Sequence, residues 1–224
     1  GARVIRAMDR DTKESSVIGT FLCDVLMDLY PEQELCLLNS GGIRAPIPAG
    51  EMTYGHLYDV MPFGNAAATM EVKGKVLLEL LRLGTAGAHG VLQVGGLDLT
   101  YDASKNDCGT LDRDGDGVIG PGDRDRLVEV KGPDGQAIDL ERTYRVVTSS
   151  FLASGGDSWR KVLETLPKSD VRILDHRLPI REQVGAWLRD KRPILNSEDQ
   201  PVMPTKAVKR IGTERAGHDG KCAP

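Results

Sequence analysis

Residues 14–38 leave the chain little freedom of fold. Val17, Ile18, Phe21, Leu22, Val25, Leu26 and Leu29 recur at helical spacing, which predicts a helix from about Glu14 to Tyr30 with one continuous apolar stripe. Pro31 stops it, because proline cannot continue a helix. Leu35-Cys-Leu-Leu38 then forms a short, wholly apolar run between turn formers, the pattern of a strand buried on both faces. That strand opens directly into Asn39-Ser-Gly-Gly-Ile-Arg44, so Arg44 is expected on a loop just beyond a strand end.

Further elements follow in mixed order. Thr53 is placed to cap a short helix through Val60, which Pro62 terminates. Ala67 to Val72 reads as a strand, and Gly74 to Leu83 as a helix with Val76, Leu77, Leu80 and Leu81 inward. Val91 to Tyr101 alternates as a strand broken at Gly95-Gly96, and Leu127–Lys131 and Tyr144–Thr148 add strand on either side of a Gly132-Pro-Asp-Gly135 turn. Helices are predicted at Ser158–Leu166 and Pro179–Asp190, the second with Ile180, Val184, Trp187 and Leu188 on one face. Residues 193–224 are polar, carry three prolines after Pro193, and read by themselves as a linker-like tail.

There is no regular βαβ rhythm and no Gly-x-Gly-x-x-Gly, which argues against a doubly wound dinucleotide fold. The expected fold is α+β (mixed α/β): a single domain over residues 1–192 with a mixed β-sheet flanked by helices. A chain of 224 residues is long enough for one sizeable core. The net charge of −4, with no Lys/Arg stripe, argues against a nucleic-acid partner, and no apolar run approaches the roughly 18 residues needed to span a bilayer. The chain begins Gly-Ala rather than Met, which reads as an excised domain whose localisation signal lies elsewhere.

Three glycine-flanked segments carry the chemistry: Asn39–Arg44, Pro62-Phe63-Gly64-Asn65 and Phe151-Leu-Ala-Ser-Gly-Gly-Asp157. Aromatics are only 4% of the chain, so a ring beside glycine and proline stands out. Arg44 reads as a phosphate ligand, because guanidinium donates two parallel hydrogen bonds, or as a surface arginine after a tight turn. Phe63 and Phe151 read as base-stacking rings or as core residues. Asp157 reads as an acceptor for ribose hydroxyls or as the cap of the helix that follows. No catalytic set is evident, since His56, His89, His176 and His218 are scattered and Asp175-His176 reads as structural.

Taken in order, these segments resemble the C-terminal domain of the 5′-nucleotidase and UDP-sugar hydrolase family. The likeness runs from the helix near Glu14 to the one near Leu166. Besides the three segments it includes Gly50-Glu-Met-Thr53, Met61, Leu92-Gln-Val-Gly-Gly96 and Tyr101-Asp102. The resemblance implies that Phe63 and Phe151 sandwich a nucleobase, Arg44 binds phosphate, Asp157 holds the ribose hydroxyls, and Asn39 and Asn65 lie near the base edge. It also implies a partner within the full-length protein, an N-terminal metallophosphoesterase domain whose divalent metal pair does the hydrolysis. The isolated chain is therefore expected to bind a nucleotide or nucleoside and to be inactive. Family members carry a further phosphate-binding arginine before the glycine matched by Gly19; here Arg10 and Lys13 are the nearest candidates, at a different spacing. The alternative to a substrate-specificity domain is a calcium-dependent interaction module with a vestigial nucleotide pocket.

That alternative arises from Asp112-Arg-Asp114-Gly-Asp116-Gly-Val118-Ile-Gly-Pro-Gly-Asp123, within an insertion at 103–126. Carboxylates fall at positions one, three, five and twelve of a calcium loop, with glycine at six and the Val118 carbonyl as a further ligand. It reads as a structural calcium site or as a polar hairpin. A dockerin usually carries two such loops in tandem, and this chain has one. Cys23 and Cys36, inside apolar patterns, are expected to be buried free thiols. Cys108 and Cys222, in polar surroundings, read either as a disulfide or as free thiols. A calcium loop and an exposed disulfide both suit an extracellular or periplasmic setting.

Overall fold

The computed structural model describes residues 2–85, 90–105, 126–167, 170–173, 178–191, 193–198 and 208–211. In chain order the strands and helices begin with β1 (Arg3–Val4), α1 (Val17–Leu29), β2 (Leu35–Asn39), β3 (Gly50–Glu51), α2 (Tyr54–Val60), β4 (Ala67–Lys73) and α3 (Gly74–Thr85). They continue with β5 (Leu92–Gly95), β6 (Asp98–Asp102), β7 (Leu127–Lys131), β8 (Thr143–Ser149), α4 (Ser150–Ala153) and α5 (Arg160–Leu163). β9 (Val171–Ile173), α6 (Ile180–Lys191), β10 (Ile194–Leu195) and β11 (Val208–Ile211) complete the order. The mixed α/β class holds.

The central sheet has strand order β5-β2-β8-β4-β9. β2 and β8 run parallel and the other neighbours antiparallel. Strand alternation divides the core between two faces. Cys36, Leu38, Ala67 and Val147 pack with α1 and α6 through Ile18, Leu22, Leu26, Ile180 and Val184. Leu35, Leu37, Ala68, Met70, Val72 and Val146 pack with α3 through Leu77, Leu80 and Leu81. The apolar run at β2 thus serves both faces, as its lack of any polar side requires.

Where the chain begins α1 depends on one buried amide. Gln93 of β5 is fully buried and accepts from the Ser16 amide at 2.8 Å and the Ser16 hydroxyl at 2.9 Å. Its own amide donates to the Glu14 carbonyl at 2.9 Å. Ser16 in turn caps the helix by accepting from Gly19 N at 3.0 Å. Ser16 is therefore held in extended form as the N-cap and the helix starts at Val17, not Glu14.

Three further expectations change. Cys23 and Cys36 are not free thiols: α1 crosses β2 with the two Cα atoms 5.5 Å apart and a disulfide joins them, a separation suited to the bond. The linker-like reading from residue 193 gives way for its described residues. β10 pairs in parallel with β1 and β11 in parallel with β6, while Leu195 and Val208 are buried; polar composition does not prevent backbone pairing at a sheet edge. The expected helix 158–166 is regular only over Arg160–Leu163, because Asp157 and Ser158 take positive φ, 47° and 70°. The calcium-type loop 112–123, Cys108, Cys222, His89, His176 and His218 lie outside the described residues. No helix among the described residues is long and apolar enough to cross a membrane.

Candidate nucleotide site

At the end of β2 the chain turns through a single 3-10 turn, Ser40–Gly42, and buries Ile43. Arg44 emerges exposed beyond it. Its amide donates to the Val60 carbonyl at 2.8 Å and its guanidinium to the Gly41 carbonyl at 3.1 Å. Arg10 donates from below to the carbonyls of Ile43 and, at 3.4 Å, Ser40. It braces the turn that displays Arg44.

α2 is held by a reciprocal cap. His56 N donates to the Thr53 hydroxyl at 3.2 Å, and the Thr53 amide donates to His56 Nδ1 at 3.3 Å. The helix ends at Val60 and hands over to Met61-Pro-Phe-Gly-Asn65. Phe63 is 51% exposed there, and Phe151, on the one-turn α4, is 41% exposed. Neither ring is a core residue. The two ring-bearing segments are linked, since Ser150 N donates to the Ala66 carbonyl at 2.8 Å and Ala66 N to the Ser150 hydroxyl at 3.0 Å.

The turn after α4 carries Asp157. Gly156 has no room for a side chain, because a Cβ there would run into the Phe151 ring. Asp157 does not cap α5, whose N-cap is Trp159. Its left-handed backbone, like that of Ser158, is costly for residues other than glycine and concentrates at functional sites.

These pieces meet. Asn39, Arg44, Phe63, Asn65, Phe151 and Asp157, with Gly41 and Gly42, line one cleft of about 390 Å³, within the usual range for a small-molecule pocket. It offers two exposed rings, one guanidinium, one carboxylate and two carboxamides. A narrow slot of about 30 Å³ adjoins it, sharing Asn39, Gly42, Phe63 and Asn65 and floored by Leu22, Leu38 and Ile180.

Arg181, on the wall of that slot, has no place in the sequence reading, which saw only the apolar face of α6. The signal was present: a cation in the first turn of a helix opposes the macrodipole, so another interaction must hold it there. Its guanidinium is held even further toward the charged form, first by the hydrogen bond with Tyr54.

Known proteins resemble this chain in sequence and in fold. The family model described as "5′-nucleotidase, C-terminal domain" matches residues 2–165. The chain is 30% identical over 214 residues to the trifunctional nucleotide phosphoesterase protein YfkN of Bacillus subtilis, covering 80% of this chain and 14% of that protein. It is 30% identical over 175 residues to the 5′-nucleotidase of Bos taurus, covering 68% of this chain and 28% of that one. Among solved structures, the 5′-nucleotidase precursor from Thermus thermophilus superposes with a TM-score of 0.71 at 26% identity, over 94% of this chain and 39% of that one. This chain spans less than a third of the two curated relatives. By sequence and by fold, it belongs to the 5′-nucleotidase C-terminal domain family.

Proposed function

We propose that this chain is the nucleotide-holding, specificity-setting part of a secreted, metal-dependent phosphohydrolase of the 5′-nucleotidase kind. The observation that carries this is the single cleft into which Phe63, Phe151, Arg44, Asp157, Asn39 and Asn65 all converge. A nucleobase lies between the two rings, which accept any base because every base has a π-face. Asp157 accepts from ribose hydroxyls, Arg44 holds phosphate with its planar fork, and the carboxamides meet the base edge. A divalent metal pair in an N-terminal domain would activate water and stabilise the transferring phosphoryl group. Rings standing half exposed favour a working pocket over a vestigial one. The names of the relatives, a nucleotide phosphoesterase and a 5′-nucleotidase, support the substrate class. The Cys23–Cys36 disulfide supports an oxidising, extracellular or periplasmic compartment.

Calorimetric titration of the chain with a panel of nucleosides and nucleotides tests the pocket. Phe63→Ala and Phe151→Ala should each weaken AMP roughly five- to hundredfold, the span of one stacking contact. Arg44→Ala should weaken AMP while sparing adenosine. Equal AMP affinity in wild type and both phenylalanine variants would remove the sandwich. Phosphate release from AMP by the chain alone, at nucleotidase rates and abolished by Arg44→Ala, would remove the division of labour.

Calcium at Asp112, Asp114, Asp116, the Val118 carbonyl and Asp123 belongs to the same proposal, supported by the spacing of those residues. At about 10 mM calcium, a site with the millimolar-range affinity of extracellular modules should add roughly 1–3 kcal/mol of stability. Asp114→Ala should abolish that gain in thermal melts with and without chelator. A melting temperature indifferent to calcium in the wild type would dismiss the site.

A further inference from the structure

The segment that presents Phe63 is held from outside the cleft. One nitrogen of Arg181, Nη1, donates toward three successive carbonyls, those of Met61 at 3.2 Å, Pro62 at 3.1 Å and Phe63 at 3.0 Å. Three neighbouring carbonyl dipoles aimed at one point repel one another, so this curl of backbone is favourable only around a cation. The cation is itself fixed. Its guanidinium carbon lies 5.0 Å from the centroid of the Tyr58 ring, Nε is 3.4 Å from the Tyr54 hydroxyl and 3.5 Å from Glu182 Oε1, and the side chain is only 14% exposed. The far end of the segment is pinned independently, with Ile180 N donating to the Asn65 carbonyl at 2.8 Å and Ala66 bridging Pro179.

Phe63 needs such a brace. A ring half exposed on a loop between proline and glycine has few packing contacts to hold it, and a stacking surface that must first be ordered loses affinity to that ordering. Of the loops that form the cleft, the one carrying Phe63 hangs its backbone carbonyls on a side chain from α6, more than a hundred residues away.

We infer that Arg181 is a positioning residue for base recognition: by capping the carbonyls of Met61, Pro62 and Phe63 it holds the Phe63 ring at its stacking height in the cleft. This rests on the proposal that the cleft takes a nucleobase, and the two are separable by experiment. In the whole chain, Arg181→Met keeps the stem and removes the donors. It should weaken AMP about tenfold, as loss of a stacking contact would, and ribose 5-phosphate by less than about twofold. The double variant Arg181→Met/Phe63→Ala should bind AMP no more weakly than Phe63→Ala alone, because both changes remove one contribution. Without any ligand, exchange of the Met61 amide, which donates to the Leu57 carbonyl at 2.9 Å, should accelerate about tenfold in Arg181→Met while amides in β2 and β8 stay protected. Should Arg181→Met not fold, Arg181→Gln serves: it keeps a polar side chain beside Tyr54 but removes the cation, and the same losses are expected. Unchanged AMP affinity, equal loss for AMP and ribose 5-phosphate, additive loss in the double variant, or unchanged exchange at Met61 would each overturn the inference. Failure of the wild type to bind AMP would instead remove the nucleotide reading, and would overturn the role in base recognition with it.

Discussion

Gly96→Ala should destabilise the chain by about 3–5 kcal/mol, among the largest effects expected of so small a change. Two costs combine. Gly96 has φ +78°, where an L side chain is strained by roughly 1–3 kcal/mol. A Cβ there would also fall inside the carbonyl oxygen of Glu34 and within 3.3 Å of Leu35 Cδ2. The oxygen is backbone and cannot step aside as a flexible side chain would. Glu34 is held on its other side, its amide donating to the Arg145 carbonyl at 2.9 Å and its carboxylate pairing with Arg142, and it leads straight into β2. Displacing it disturbs the parallel pairing of β2 with β8 beneath the cleft. Gly135 provides the control: its φ is +77°, but a Cβ there meets nothing within 4 Å. Gly135→Ala should therefore cost only about 1 kcal/mol. Urea unfolding of both variants separates the terms, and equal losses would show that close approach at Gly96 contributes nothing.

What could be read from the sequence was what depends on neighbours along the chain. The stripe of α1, the two-faced run of β2, the Thr53 cap and the glycine-flanked motifs are local patterns, and all six candidate ligand residues reached one cleft because each lies at or shortly after a strand or helix end whose position the core sets. What escaped depends on contacts between distant segments. Cys23 and Cys36 each look like core residues, and only the crossing of α1 over β2 makes them a pair. The pairing of β10 and β11 is made by backbone, to which composition is blind. The late start of α5 follows from two left-handed residues after Gly155-Gly156, where sequence offered a capping aspartate instead. Arg181 shows its task only when Met61–Phe63 is folded against it.

Removing the Cys23–Cys36 disulfide, as in a Cys23→Ala/Cys36→Ala variant, should cost at least about 3 kcal/mol. The bond closes a loop with a sequence separation of 13, and in the chain-entropy account a loop of that size restricts the unfolded ensemble by about 3 kcal/mol. Both cysteines are fully buried, so lost packing adds to the cost. For a chain of this length the melting temperature should fall by roughly 6–12 °C. The effect on the cleft should be far smaller. β2 carries Cys36 toward Asn39 and the Gly41-Gly42 turn, but it is held there by pairing with β5 and β8, and the Arg44 turn by Arg10. AMP affinity well below the melting temperature should thus change by less than about twofold, since the entropic term acts on the unfolded state. Burial has a second consequence: reductant reaches the bond only when the chain opens, so native protein should resist thiol alkylation at these positions until denaturant is added. A fall in AMP affinity matching that of Phe63→Ala would place the disulfide in the site's geometry instead, whereas an unchanged melting temperature would mean that the bond contributes nothing to the fold.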